Sequence, residues 1–125
     1  MNTETLYSVA DNVATITLNR PEKRNAWTVV MAREACHWMR VADADPDVRV
    51  ILLTGAGGGF CAGADMSLLS SVIEGGLTAD GPAARRAPLP EVSKPVIAAV
   101  DGAAVGLGFA LALHADLRIA SDSAR

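Results

Sequence analysis

An α/β architecture is the fold class this sequence predicts, and three features predict it. Apolar runs rich in Val and Ile alternate with stretches whose apolar residues recur at helical spacing. Two of those runs, Val50-Ile51-Leu52-Leu53 and Val96-Ile97-Ala98-Ala99-Val100, are continuous, the pattern of strands covered on both faces. Each leads into a glycine-bearing turn ahead of a further helical stretch. The composition agrees: of 125 residues, 50% are hydrophobic and 20% charged, enough apolar surface for a packed core. A net charge of -3 argues against disorder and against nucleic acid as a partner.

The elements follow in order. Leu6 to Val9 and Val13 to Leu18 flank the turn-prone trio Ala10-Asp11-Asn12, which predicts a hairpin. In its second arm Ala14, Ile16 and Leu18 share one face, and Thr15 and Thr17 the other. Residues 19 to 25 form a polar loop. Thr28 is placed to cap a helix reaching about Ala44, with Met31, Ala35, Trp38 and Ala42 as its apolar stripe and Asp45-Pro46 as its stop. The run from Val50 is a strand, and a short helix begins near Asp65 and ends near Glu74. Residues 75 to 90, rich in Gly, Ala and Pro, are expected to be mobile. The strand from Val96, a helix ending near His114 and a last strand at Leu117 to Ala120 complete the chain.

No uncharged stretch reaches the ~18 apolar residues of a membrane span, and Met1-Asn2-Thr3-Glu4 lacks the basic start of a secretory signal. Two cysteines, Cys36 and Cys61, do not make a disulfide framework, so a reduced, cytoplasmic setting is expected. Gly57 to Ala62 matches the loose pattern G-x-G-x-x-A, but no ribose-binding acid follows in a βαβ unit and no Walker lysine follows either glycine turn. Cys36 and His37 are neighbours in sequence and do not converge on one helical face, so no metal site is expected there. His114 is read as a partner of its helix end, and Cys61 as a small buried residue rather than a nucleophile. Glu34, Asp43 and Glu74 are read as surface charges.

The glycine turns are where chemistry is expected, because backbone N–H groups at such turns can hold negative charge. Val13 to Pro21 with Asn25-Ala26, then Leu52-Leu53-Thr54-Gly55 leading to Phe60-Cys61-Ala62-Gly63-Ala64-Asp65, then Lys94 to Gly102 with Gly106-Leu107-Gly108 and Ala115 to Ala120, resemble in order and spacing the signatures of the crotonase (enoyl-CoA hydratase/isomerase) superfamily. The resemblance spans nearly the whole chain. It implies the N-terminal portion of the crotonase-like ββα spiral fold, with residues 1 to 125 as part of one domain. It implies an acyl-CoA substrate whose thioester oxygen sits between two backbone N–H donors, those of Ala64 and Leu107 by motif position. Lys23 and Arg24 would meet the CoA phosphates, and Ala26, Ala62, Asp65, Met66 and Gly106 would line the substrate's path; Asp65 is equally suited to cap the helix it precedes. No metal and no cofactor beyond the CoA of the substrate is implied, and a full-length member is expected to form homotrimers or hexamers.

One position departs from the hydratase pattern. The first of the two glutamates that deliver water across the double bond would stand three residues after Leu107, where this chain has Ala110. A methyl group transfers no proton. The second glutamate belongs to a segment beyond Arg125. Two readings therefore stand side by side: a hydratase- or isomerase-like enzyme, and a catalytically silent acyl-CoA binder or fragment.

Overall fold

In the computed structural model, which describes residues 3–74 and 88–125, five strands form one sheet in the order β1-β2-β3-β4-β5. The first two, β1 (Thr5–Ala10) and β2 (Val13–Leu18), form the hairpin. Its turn is tighter than the sequence predicts: Ala10 pairs with Val13, leaving only Asp11 and Asn12 in the loop, at φ 51° and 65°. Asp and Asn tolerate the left-handed region, and a two-residue turn of that hand suits the twist of the strands.

From β2 onward every neighbour is parallel. The strands β3 (Val50–Gly55), β4 (Val96–Val100) and β5 (Leu117–Ala120) are each reached through a helix: α1 (Val29–Ala44), α2 (Met66–Glu74) and α3 (Leu107–His114). Each crossover advances the sheet by one strand in the same direction. Short extended pieces between strand and helix also pair, Trp27 with Ala64 and Cys61 with Ala104, both parallel. Each turn thus contributes a long strand, a short second strand and a helix, which is the ββα spiral. The expectation for residues 75 to 90 falls largely outside the described residues.

Period-two alternation decides the core. Ile16, Leu53 and Ala98 lie in register across β2, β3 and β4, as do Ala14, Ile51 and Val96, and all are buried. Met31, Ala35, Met39 and Ala42 of α1 close over this face. The apolar stripe therefore runs through Met39, where the sequence points to Trp38. Trp38 stands at the stripe's edge: its ring stacks on Tyr7 at 4.7 Å, and its indole N–H donates to Thr5 Oγ1 at 3.1 Å. An amphipathic ring at the margin keeps its polar handle satisfied, whereas a thioether needs no partner in the centre.

The opposite face corrects a second expectation. The strands β3 and β4 are not covered on both sides: Leu52, Ile97 and Ala99 are only half-buried, and Leu117 and Ile119 on β5 are 59% and 63% exposed. Two expected surface charges are also engaged. Glu34 Oε2 accepts from the backbone N–H groups of Glu4 and Thr5 and from Thr5 Oγ1, all at 2.9 Å, tying β1 to α1. Asp43 Oδ1 accepts from the Ser93 amide and hydroxyl, which holds the carboxyl below its usual range. The side chain of Glu74 lies outside what the structure describes.

Candidate functional site

The ends of β3 and β4 deliver two backbone segments to the same place. Trp27 donates to Gly63 O and accepts from the Asp65 N–H, both at 2.8 Å. In a parallel bridge of this kind the intervening residue, Ala64, turns its own N–H away from the partner strand. Among the described residues that N–H has no acceptor. Likewise Cys61 bonds Ala103 O at 2.9 Å and Val105 N at 3.0 Å, which seats the 103–105 segment beside the 61–64 segment.

Close approach of these segments demands glycine. A Cβ on Gly108 would lie 2.0 Å from Cys61 O, and one on Gly63, whose φ is +110°, would lie 3.2 Å from Val105 O. The helix α3 then starts beside Ala64's segment. Its N-cap, Gly106, offers no side-chain bond, and the Leu107 N–H has no acceptor among the described residues. Two unpaired backbone donors, on segments held together by close glycine contacts and one at a helix N-terminus, can stabilise developing negative charge on an oxygen.

The other predicted site residues are arranged around them. Ala62 donates to Arg24 O at 3.0 Å, which draws the 20–27 loop against the same segment. Ala62 and Ala26 are half-buried, whereas Met66 and Gly106 are exposed. Lys23 and Arg24 are exposed at the end of a 3-10 turn (Pro21–Lys23), and neither makes an ion pair among the described residues. Asp65 does cap α2: Oδ1 accepts from the Ser67 amide at 2.9 Å and hydroxyl at 2.7 Å. Its Oδ2 accepts from Arg20 at 3.2 Å. Those Ser67 bonds, reinforced by Arg20, hold the Asp65 carboxyl down at about 2.

Other candidates separate cleanly. Cys61 is fully buried, and burial pushes its thiol up, away from the thiolate a nucleophile needs. His37 is exposed with its ring edge against Trp38. His114 stands in the last turn of α3, at the helix end where the sequence places it. Arg118 serves that end as well, donating to Ala112 O at 3.2 Å and Ala115 O at 2.9 Å, because its longer, permanently charged fork reaches back from β5.

Sequence reasoning missed the braces of the site. Arg20 donates to Ala26 O at 2.8 Å and pairs with both Asp65 and Glu4, joining the N-terminus, the 20–27 loop and the start of α2. Asn25 is fully buried; its Oδ1 accepts from Arg20 N at 2.8 Å, and its Nδ2 donates to Ala56 O at 2.9 Å and Gly59 O at 2.8 Å. Nothing local marks these roles, since every partner except those within the loop lies 16 to 45 residues away in sequence.

Comparison with known proteins matches this geometry to a family. The family model described as enoyl-CoA hydratase/isomerase matches residues 8–125. The chain is 43% identical over 127 residues to the Mycobacterium tuberculosis protein named probable enoyl-CoA hydratase EchA14, covering 95% of this chain and 47% of that one. It is 39% identical over 128 residues to the 1,2-epoxyphenylacetyl-CoA isomerase of Escherichia coli, covering 96% of this chain and 48% of that protein. The crystal structure of an enoyl-CoA hydratase from Mycobacterium smegmatis superposes with a TM-score of 0.81 at 36% identity, over 98% of this chain and 49% of the other. The chain spans about half the length of the relatives it matches.

Proposed function

From the chain's membership of the enoyl-CoA hydratase/isomerase family, we propose that it binds an acyl-CoA thioester and polarises its carbonyl with the N–H groups of Ala64 and Leu107. The observation that carries this reading is the pair of backbone donors left without acceptors where the 61–64 segment meets the start of α3. Removing a proton next to a thioester, or adding a nucleophile to its double bond, builds an enolate whose charge falls on that oxygen. Donors fixed in advance favour the enolate over the neutral ground state, each by ~3–4 kcal/mol. Lys23 and Arg24 meet the CoA phosphates in this reading, and Ala26, Ala62, Asp65, Met66 and Gly106 flank the substrate. It needs no cofactor beyond the CoA that the substrate carries.

Ala110 argues against two-glutamate hydration, because the half-buried methyl on α3 has no ionisable proton to transfer. Double-bond isomerisation needs one base, which a longer form of the protein would supply. The second reading, an acyl-CoA binder without turnover, is favoured by the same residue. A role in fatty-acid metabolism, a cytoplasmic setting and a homotrimer or hexamer for a full-length form complete the proposal.

The test is 13C NMR of a crotonyl-CoA labelled at the thioester carbonyl. A downfield shift on binding, lost in Leu107→Pro at unchanged melting temperature, is the expected result. A carbonyl resonance indifferent to the protein, or equally shifted by the proline variant, overturns the reading. Turnover of the same substrate then separates enzyme from silent binder.

A further inference from the structure

The glycine turn after β3 has a second side. A cavity of about 410 Å3 opens between Pro21, Arg24, the Ala56–Gly59 turn, Ala103 and Arg125. None of its walls belongs to Ala62, Ala64 or Leu107, so it is separate from the carbonyl-binding donors.

We propose that this cavity is a phosphate-binding site, in which Arg24, Arg125 and the N–H groups of Gly57, Gly58 and Gly59 receive a phosphate or phosphate ester. Three observations support it. First, the carbonyls of Ala56 and Gly59 are both turned onto the buried Asn25 carboxamide, at 2.9 and 2.8 Å, which removes two competing acceptors from the turn. Second, the amides of Gly57, Gly58 and Gly59 donate to no acceptor among the described residues. Gly57 and Gly58 hold successive φ angles of +73° and +72°, and a Cβ on Gly57 would stand 2.5 Å from the Pro21 Cβ, so this conformation belongs to glycine. Successive amides in such a turn form an anion-binding concavity.

Third, the charge is one-sided. Arg24 and Arg125 are exposed, neither forms an ion pair among the described residues, and no Asp or Glu side chain lines the cavity. Arg125 is anchored by its main chain, with its N–H on Gly102 O at 3.0 Å and its oxygen taking the Ala104 N–H at 2.8 Å. Two guanidinium groups over free backbone amides suit a tetrahedral dianion, since each fork supplies paired donors and full charge.

The inference shares Arg24 with the acyl-CoA reading and is tested separately from it. The 15N-labelled chain is titrated with inorganic phosphate, with sodium chloride at equal ionic strength as control. Saturable shifts of the Gly57, Gly58 and Gly59 amides are expected, with affinity falling about tenfold in Arg24→Gln and in Arg125→Gln. Both substitutions are at exposed positions, so melting temperature should not move. Glycine amides that answer phosphate no more than chloride, or a double variant that binds undiminished, would overturn the site.

Four further titrants identify the source. CoA acting at lower concentration than phosphate, with pantetheine silent at the turn, assigns the site to the nucleotide end of CoA. CoA and dephospho-CoA no better than inorganic phosphate assign it to a free phosphate or another ester. Acyl-pantetheine that shifts the Ala64 and Leu107 amides while phosphate leaves Gly57–Gly59 unmoved rejects this site and spares the acyl-thioester reading.

Discussion

Asn25 ties the 20–27 loop to the glycine turn after β3. It sits at φ +55° in the left-handed region, fully buried, and spends its carboxamide on three backbone groups. Asn25→Ala leaves those groups unpaired in the interior and should cost about 3 kcal/mol, read as a lower urea midpoint at unchanged slope. Tyr7 offers the opposite case. Its hydroxyl is buried without a hydrogen-bond partner among the described residues, and burial, with Asp45 adding repulsion, pushes its pKa up. Tyr7→Phe keeps the stack on Trp38 and removes the orphaned group, so it should leave stability unchanged or raise it by about 1 kcal/mol. A loss of more than that in chemical denaturation would mean the hydroxyl is satisfied in solution. The depressed Asp65 carboxyl sets a pH dependence. Its folded value, about 2, lies below the ordinary carboxylate value near ~3.9, so the ionised form is the stabilising one. That contribution is complete above pH ~4 and disappears as pH falls towards ~2. Asp65→Asn should flatten this limb of the stability–pH curve, measured by melting temperature across that window.

At the scale of elements, α1 is held at both of its ends. Thr28 caps α1 by accepting from Met31 N at 3.0 Å, and its hydroxyl donates to Glu4. At the other end the Lys94 ammonium donates to Ala42 O at 2.6 Å and to Asp45 O, which joins the last turn of α1 to the approach to β4. A cation on the carbonyl end of a helix is favoured both by hydrogen bonding and by the dipole. Thr28→Ala and Lys94→Met should each cost about 1 kcal/mol. Because the two positions share no partner, the double variant should lose the sum, checked by denaturation of all three proteins. Additivity failing by more than ~0.5 kcal/mol would show that the two ends of α1 are coupled through the sheet.

For the whole molecule, the decisive feature is that the described residues cover one face of the sheet more fully than the other. Ile16, Leu53 and Ala98 lie beneath α1, whereas Leu117 and Ile119, joined by Leu6 on β1, present apolar surface outward. Phe109 and Leu113 on α3 are exposed as well, each 55%. Large exposed apolar side chains of this kind favour association in water. A polypeptide of these 125 residues should therefore self-associate at micromolar concentration, and Leu117→Lys with Ile119→Lys should shift sedimentation towards the monomer. A monodisperse monomer with a sharp cooperative melt would contradict this.

Much of this was legible in the chain itself. Alternation and 3.6-residue spacing are local, so the strand and helix positions, the Thr28 cap and the Asp45-Pro46 stop could be read directly. The ordered glycine motifs pointed to the family, and so to the spiral. Coverage of faces was not legible: the runs Val50 to Leu53 and Val96 to Val100 look doubly buried, yet what lies on the second face depends on elements that never contact them in sequence. The choice of Met39 over Trp38 was likewise settled by where Tyr7 and Thr5 arrive on the neighbouring strand. The Arg20–Asp65 and Arg20–Glu4 braces and the Asn25 bonds to the glycine turn join residues 16 to 45 positions apart. Periodicity carries no information over such separations; tertiary structure decides them, because only the folded chain determines which polar groups lose water and must find one another.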